Sequence, residues 1–145
     1  MRSLGEQVFY RTCVPMIACL LIPGFELRVA LRSRPRLAVV PAALAPEQRL
    51  PARLGPVTAA AEAAGVTAGM RLGEALATCP ELVLVDSDPA GAEREWEGVL
   101  RRLEDAGFGV ESVEPGVVVF ETRGVERLYG GVEAALTKAL ASTPP

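Results

Sequence analysis

Acidic residues are the side chains of this sequence with the greatest potential for chemistry, because the chain contains no histidine and only three cysteines. Glu111, Glu114 and Glu121 lie within a short stretch, and carboxylate oxygens are the ligands that magnesium prefers. Acids that alternate along a predicted hairpin are, however, typical of a solvated face. We therefore expect no metal site among these three residues.

The cysteines and glycines offer little further chemistry. Cys13, Cys19 and Cys79 are unevenly spaced and form no C-x-x-C pair, which argues against a disulfide framework and against a zinc site. Cys79 has no histidine to activate its thiol, so we expect a small buried side chain rather than a nucleophile. Gly65 and Gly69 fit neither a P-loop nor a G-x-G-x-x-G motif, and they favour turns.

Length and composition predict one ordinary domain with a real core. The chain has 145 residues, of which 50% are hydrophobic, and a net charge of −3. Proline, glycine and arginine interrupt its apolar stretches before the roughly 20 residues that a membrane helix requires. Residues 1–15 form an N-terminal extension that does not resemble a signal peptide. We expect a reduced, cytoplasmic protein without a cofactor.

The hydrophobic pattern predicts alternating strands and helices, hence an α/β (α+β) fold. The apolar run 17–22 is typical of a buried central strand, and 42–56 resembles a long loop rich in proline, alanine and arginine. Asp88 and Pro89 predict the start of a long helix that places Trp96 in the core. The remaining predicted strands cover 37–41, 81–85, 108–113 and 117–122, and the helices cover 25–33, 57–64, 72–78, 89–106 and 132–141.

Three segments carry a family resemblance. Residues 17–25 (IACLLIPGF) resemble the D-x-D-x-F strand of Y-family DNA polymerases, residues 65–85 (GVTAGMRLGEALATCPELVLV) resemble the fingers signature of that family, and residues 115–131 (PGVVVFETRGVERLYGG) resemble the second palm hairpin in its ImuB branch. The three matches follow the order of the family. The chain is therefore similar to a Y-family polymerase, of the UmuC and DinB type, and is nearest to ImuB.

The resemblance also implies that the catalytic carboxylates are missing. When Phe25 is aligned with the Phe of the motif, Leu21 and Pro23 occupy the positions of the two metal-binding aspartates. Gly116 and Val117 occupy those of the Asp and Glu in S-x-D-E. None of these four side chains offers the oxygen ligands that magnesium demands.

The nucleotide-binding positions that the resemblance implies are changed as well. Ala59 and Glu62 stand where active members carry the Tyr and Arg of Y-x-A-R, which are thought to hold the incoming triphosphate. An anion thus replaces a cation that would bind phosphate. Glu26 stands where a bulky aromatic residue usually rejects ribose.

The family fold implies a ferredoxin-like palm sheet with a small helical insertion. We assign residues 16–41 and 81–145 to a partial palm and residues 42–80 to the fingers-like insertion. In the family the palm continues to a further strand, a thumb and a little finger, and we expect none of these within the 145 residues given. Either the chain is a short natural protein, or it is a fragment of a longer one.

Charge is distributed unevenly along the chain. Residues 1–40 contain six arginines and two acids, whereas residues 81–145 contain thirteen acids and six bases, which would repel nucleic acid. The basic cluster could contact DNA phosphate. The favoured interpretation is a solvent-exposed end of a helix, where cations interact favourably with the negative C-terminal end of the helix dipole. The members of the cluster are Arg28, Arg32, Arg34 and Arg36.

The resemblance as a whole implies a catalytically inactive adaptor in DNA repair, damage tolerance or translesion synthesis. Its partners would be a RecA-like protein and an error-prone polymerase, and the resemblance within these 145 residues does not extend to the C-terminal regions that would imply clamp binding. DNA binding would be weak or indirect. Two alternatives stay open, namely half of a split nucleotidyltransferase completed by a partner chain, and a structural homodimer formed through an open sheet edge.

Overall fold

The computed structural model describes residues 16–48 and 51–143, so residues 1–15 and their predicted role as an extension lie outside the described part. The fold is mixed α/β, which confirms the predicted class. Its strands are β1 (Ile17–Leu21), β2 (Ala42–Leu44), β3 (Val83–Val85), β4 (Val110–Glu114) and β5 (Val117–Glu121). Its helices are α1 (Phe25–Leu31), α2 (Ala59–Ala63), α3 (Leu72–Thr78), α4 (Pro89–Asp105), α5 (Val125–Tyr129) and α6 (Val132–Ala141).

The larger sheet has the order β1-β5-β4, and both of its strand pairs are antiparallel. Side chains alternate between its two faces, as the geometry of a strand requires. Leu20, Val118 and Phe120 point to the core and are almost fully buried. The predicted hairpin over 108–122 is thus confirmed, with a β-bulge between Ser112 and Glu114.

Helix α4 supplies the opposite side of this core. Its start is as predicted, because the Asp88 carboxylate accepts a 2.8 Å hydrogen bond from the Gly91 amide and Pro89 occupies the first turn. Trp96 is buried, as predicted, and its ring meets Phe25 of α1 edge to face at 5.4 Å. The indole N–H donates to the Ser112 hydroxyl at 2.7 Å, which ties α4 to β4.

The predicted strand over 37–41 is wrong. Residues Pro35–Val39 form a 3-10 helix, and the strand β2 begins only at Ala42, inside the segment predicted as a loop. Pro35 fixes the backbone dihedral at the start of the turn, which an apolar run alone does not reveal. Strand β2 pairs with β3 in parallel and lies outside the larger sheet.

The prediction of a buried central strand over 17–22 is also wrong in part. Strand β1 forms there, but within the described residues it pairs with β5 alone. Ile17 and Leu21 are 69% and 62% exposed, because helices pack against only one face of the sheet. A continuous apolar run therefore does not distinguish a fully buried strand from one that has one buried and one solvent-exposed face.

Helices α2 and α3 enclose a second small core around Ala61, Val66 and Cys79. Cys79 is 3% exposed, which confirms the expected buried side chain. Gly65 and Gly69 have φ values of +87° and +81° and form the predicted turns. The boundary of the fingers-like insertion at residues 42–80 stays a prediction. None of the described helices is both long and apolar enough to cross a bilayer.

Candidate functional site

The end of β1 meets the β4–β5 turn and forms the centre of the candidate site. Leu21 and Val117 are direct partners across the antiparallel pair. One residue further on, the Ile22 amide donates a 2.8 Å hydrogen bond to the Gly116 carbonyl. The fold thus brings together three of the four positions that the family resemblance assigns to metal ligands, namely Leu21, Gly116 and Val117.

A shallow cleft of about 280 Å³ opens at this point and includes the fourth position, Pro23. Apolar side chains and backbone form most of its wall. Its carboxylates are those of Glu26 and Glu114, and both residues are exposed. Among the described residues, no three histidine, cysteine or acidic side chains converge where they could hold a metal ion.

The backbone at Gly116 leaves no room for a side chain. Its φ is +94°, which disfavours residues that carry a Cβ atom. A Cβ atom built there would lie 2.9 Å from the Cβ of Phe25 and 3.1 Å from the carbonyl oxygen of Ile22. A carboxylate at this position would therefore require the hairpin to shift away from α1.

The two positions that the family resemblance assigns to triphosphate binding in the fingers-like segment lie on α2. Ala59 and Glu62 are both exposed, and neither lines the cleft beside Leu21. The N-cap of this helix is Thr58, a buried residue that sequence reasoning missed. Its hydroxyl accepts from the amides of Ala42 and Ala61 and donates to the Val40 carbonyl, at 3.0, 3.3 and 2.8 Å. The weak signal for it was a threonine just before a helix.

The basic cluster is divided by the fold. Arg28 and Arg32 line a second cleft of about 370 Å³ beside α1, whereas Arg34 and Arg36 lie on the chain that follows and do not line it. All four residues are exposed. Arg32 also forms an ion pair with Glu95 of α4, which partly neutralises its charge. The four cations are therefore not arranged as one continuous phosphate-binding surface.

The three glutamates of the hairpin lie on the exposed side of the larger sheet. Glu111 is opposite Val119, Glu114 is opposite Val117, and Glu121 is opposite Ile17. They thus share a face with Leu21 rather than with the core. Sequence reasoning found these acids, and the family resemblance named Leu21 and Val117, but it missed Ile17 and Val119 as their apolar neighbours.

The comparisons with known proteins agree with the observed fold. The family model described as IMS, the impB/mucB/samB family, matches residues 21–143. Among solved structures, the Y-family DNA polymerase chimera Dbh-Dpo4(243-245)-Dbh superimposes with a TM-score of 0.72 at 17% identity, over 88% of this chain and 38% of that one. DinB from Sulfolobus solfataricus superimposes with a TM-score of 0.72 at 19% identity, over 88% of this chain and 37% of that one.

The curated protein sequences gave no match. The chain spans less than two fifths of the length of either polymerase structure. At these identities the superpositions show the fold, which is that of the palm and fingers region, while the family model covers most of the chain. The chain belongs to the impB/mucB/samB family of Y-family polymerase relatives.

Proposed function

We propose that this domain is a catalytically inactive member of its family, nearest to ImuB, and that it acts as an interaction module in DNA damage tolerance. The observation that carries the proposal is the crowded backbone at Gly116, beside the pair formed by Leu21 and Val117. By the family resemblance, these residues and Pro23 stand at the metal-ligand positions. Phosphoryl transfer in polymerases depends on metal ions that bridge the phosphates, so their loss removes the chemistry.

The changed fingers positions support the same proposal. A triphosphate binds best to cations and hydrogen-bond donors. Glu62 presents a carboxylate instead, and Ala59 offers no side-chain hydrogen bond. The domain would then keep the family fold for contacts with other proteins of the repair assembly. By the resemblance to ImuB, those partners are a RecA-like protein and an error-prone polymerase.

The proposal is tested by calorimetry with a deoxynucleoside triphosphate and magnesium, together with a primer-extension assay. Neither binding nor extension is expected. A chain that bound the triphosphate with micromolar affinity would be an enzyme or half of one, and the proposal would be withdrawn.

A second candidate function is supported by the open edge of β1. Within the described residues, that strand has a neighbour on one side only. An unpaired edge is a template for a strand from another chain. A partner that completed the sheet could make this chain half of a split nucleotidyltransferase, or a second copy could make a structural homodimer. Light scattering separates the homodimer from a monomer, and extension activity reconstituted with a partner identifies the split enzyme.

A further inference from the structure

The side of the larger sheet that faces away from α4 is not covered by any other described helix or strand. We call it the outer face. Its residues follow from the strand register, in which partners across an antiparallel pair lie on the same side. They are Ile17, Cys19 and Leu21 of β1, Val117, Val119 and Glu121 of β5, and Glu111 and Glu114 of β4.

The β1 edge of the outer face is apolar and open to solvent. Ile17 is 69% exposed and Leu21 is 62% exposed, and Cys19 between them is also exposed. Val117 and Val119 continue this surface onto β5 as half-buried side chains. Single exposed apolar residues are ordinary, but a contiguous group of them marks an interaction surface.

The β4 edge of the same face is acidic. Glu111 and Glu114 lie next to Val119 and Val117 and are both exposed. Within the part of the chain that the structure describes, neither glutamate takes part in an ion pair. Glu121 of β5 adds a third exposed carboxylate, opposite Ile17. The outer face is therefore apolar from Cys19 and Leu21 to Val117 and Val119, and anionic along β4 and at the Glu121 end.

The dimensions of this face favour a helix as its occupant. Neighbouring strands lie about 4.8 Å apart, so the columns on β1 and β4 are separated by about 10 Å. That spacing is close to the diameter of an α-helix with its side chains, about 10–12 Å. A helix lying along β5 could contact both columns at once.

We propose that the outer face docks an amphipathic helix of a partner protein, which carries apolar residues along one flank and lysine or arginine along the other. The apolar flank covers Ile17 and Leu21, and the cationic flank meets Glu111 and Glu114. This proposal rests on the adaptor function and deepens it, since it names the surface and the chemistry of the partner.

Charge makes a second copy of the chain the poorer occupant. In a twofold dimer the acidic column of one copy would face either the acidic or the apolar column of the other, depending on the direction of the axis. Neither pairing supplies a cation from the outer face to Glu111 or Glu114, and like charges placed together oppose association. A partner with lysine or arginine at these positions gains an attraction that a second outer face does not provide.

The experiment uses the full chain with Cys13→Ser, so that Cys19 is the one exposed thiol, since Cys79 is buried. The probe is a fluorescent designed peptide of about 20 residues, long enough to populate a helix, with leucines on one flank and lysines on the other. Fluorescence anisotropy reports its affinity, and a saturating amount of it should slow the alkylation of Cys19.

Charge reversal gives the sharpest result. The double variant Glu111→Lys/Glu114→Lys should bind the lysine peptide at least about tenfold more weakly, and a peptide with glutamate in place of lysine should recover the lost affinity. The matched control is Glu104→Lys/Glu133→Lys, which reverses two exposed glutamates on α4 and α6 and should leave the affinity unchanged. All four positions are exposed, so these variants should fold.

Three results would overturn the inference. The first is equal affinity of the original and the reversed chain for the lysine peptide. The second is an alkylation rate of Cys19 that does not change when the peptide binds. The third is a dimer that protects Cys19 without any peptide, which would assign the face to a second copy. Triphosphate calorimetry on the same sample separates the two proposals. If the chain binds neither the triphosphate nor the peptide, the helix-docking proposal is wrong while the proposed adaptor function stands. If the chain binds the triphosphate, the adaptor function itself is wrong.

Discussion

A Cβ atom on Gly116 would lie 2.9 Å from the Cβ of Phe25, closer than side chains in folded proteins approach one another. Phe25 is buried and packs against Trp96, so it has little freedom to move away. The turn between β4 and β5 is therefore held against the start of α1. This contact fixes the shape of the candidate site and excludes a side chain from one of its central positions.

The first prediction concerns this contact. Gly116→Ala should destabilise the fold more than Gly124→Ala, which has a similar φ of +89° but no atom within 4 Å of the added Cβ. Both variants carry the strain of a positive φ, so the difference isolates the steric clash, expected at about 1–3 kcal/mol. Denaturant unfolding measures the free energy of each variant. Equal losses would show that α1 and the hairpin are not in contact.

The second prediction concerns Thr58. Thr58→Val keeps the shape of the side chain but leaves buried backbone groups of β2 and α2 without their partner, at a cost of about 1–3 kcal/mol. The matched control is Thr137→Val on α6, where an exposed hydroxyl bonds only to the Glu133 carbonyl. That change should stay within about 0.5 kcal/mol. Thermal melts compare the two, and a Thr58 variant as stable as the control would contradict the buried network.

The third prediction concerns DNA. Any binding should be weak and independent of sequence, and should fall steeply with salt, because the chain is acidic overall and its four clustered arginines are divided by the fold. With at most four phosphate contacts, the slope of log affinity against log salt for duplex DNA should be no steeper than about −3.6. Mobility shifts with single-stranded and primer-template DNA measure it.

Two quadruple variants test the DNA-binding prediction. Changing Arg28, Arg32, Arg34 and Arg36 to serine should abolish the residual binding. Changing Arg94, Arg101, Arg127 and Lys138 to serine removes the same charge from exposed positions elsewhere and should reduce binding less. Tight binding that survived the first set of changes would place the DNA surface elsewhere on the chain.

Local signals in the sequence predicted part of the fold correctly. The helix that begins after Asp88 carries a capping side chain, a proline in its first turn and an apolar stripe, and these agree with one another. The hairpin around Gly116 was predicted from two apolar runs on either side of a short turn segment. The start of the helix and the turn of the hairpin are set by residues close in sequence, so a local pattern was sufficient to predict them.

The errors arose where distant contacts decide the structure. Strand β2 is only three residues long, and its partner is β3, about forty residues further along the chain. The run 17–22 gave no periodic signal, because apolar side chains lie on both faces of β1. Pattern analysis therefore did not detect the outer face, although the family resemblance had singled out two of its residues, Leu21 and Val117.

The most direct test of the central claim is calorimetric titration of the chain with a deoxynucleoside triphosphate and magnesium, with a melting curve in millimolar magnesium or manganese alongside. By the family resemblance, Leu21, Pro23, Gly116 and Val117 stand at the metal-ligand positions, and a ligand stabilises a fold only through affinity for its native state. We predict no heat of binding and no shift in melting temperature, for the chain and for Glu62→Arg alike. Micromolar triphosphate binding, or a rise of several degrees with metal, would contradict an inactive domain.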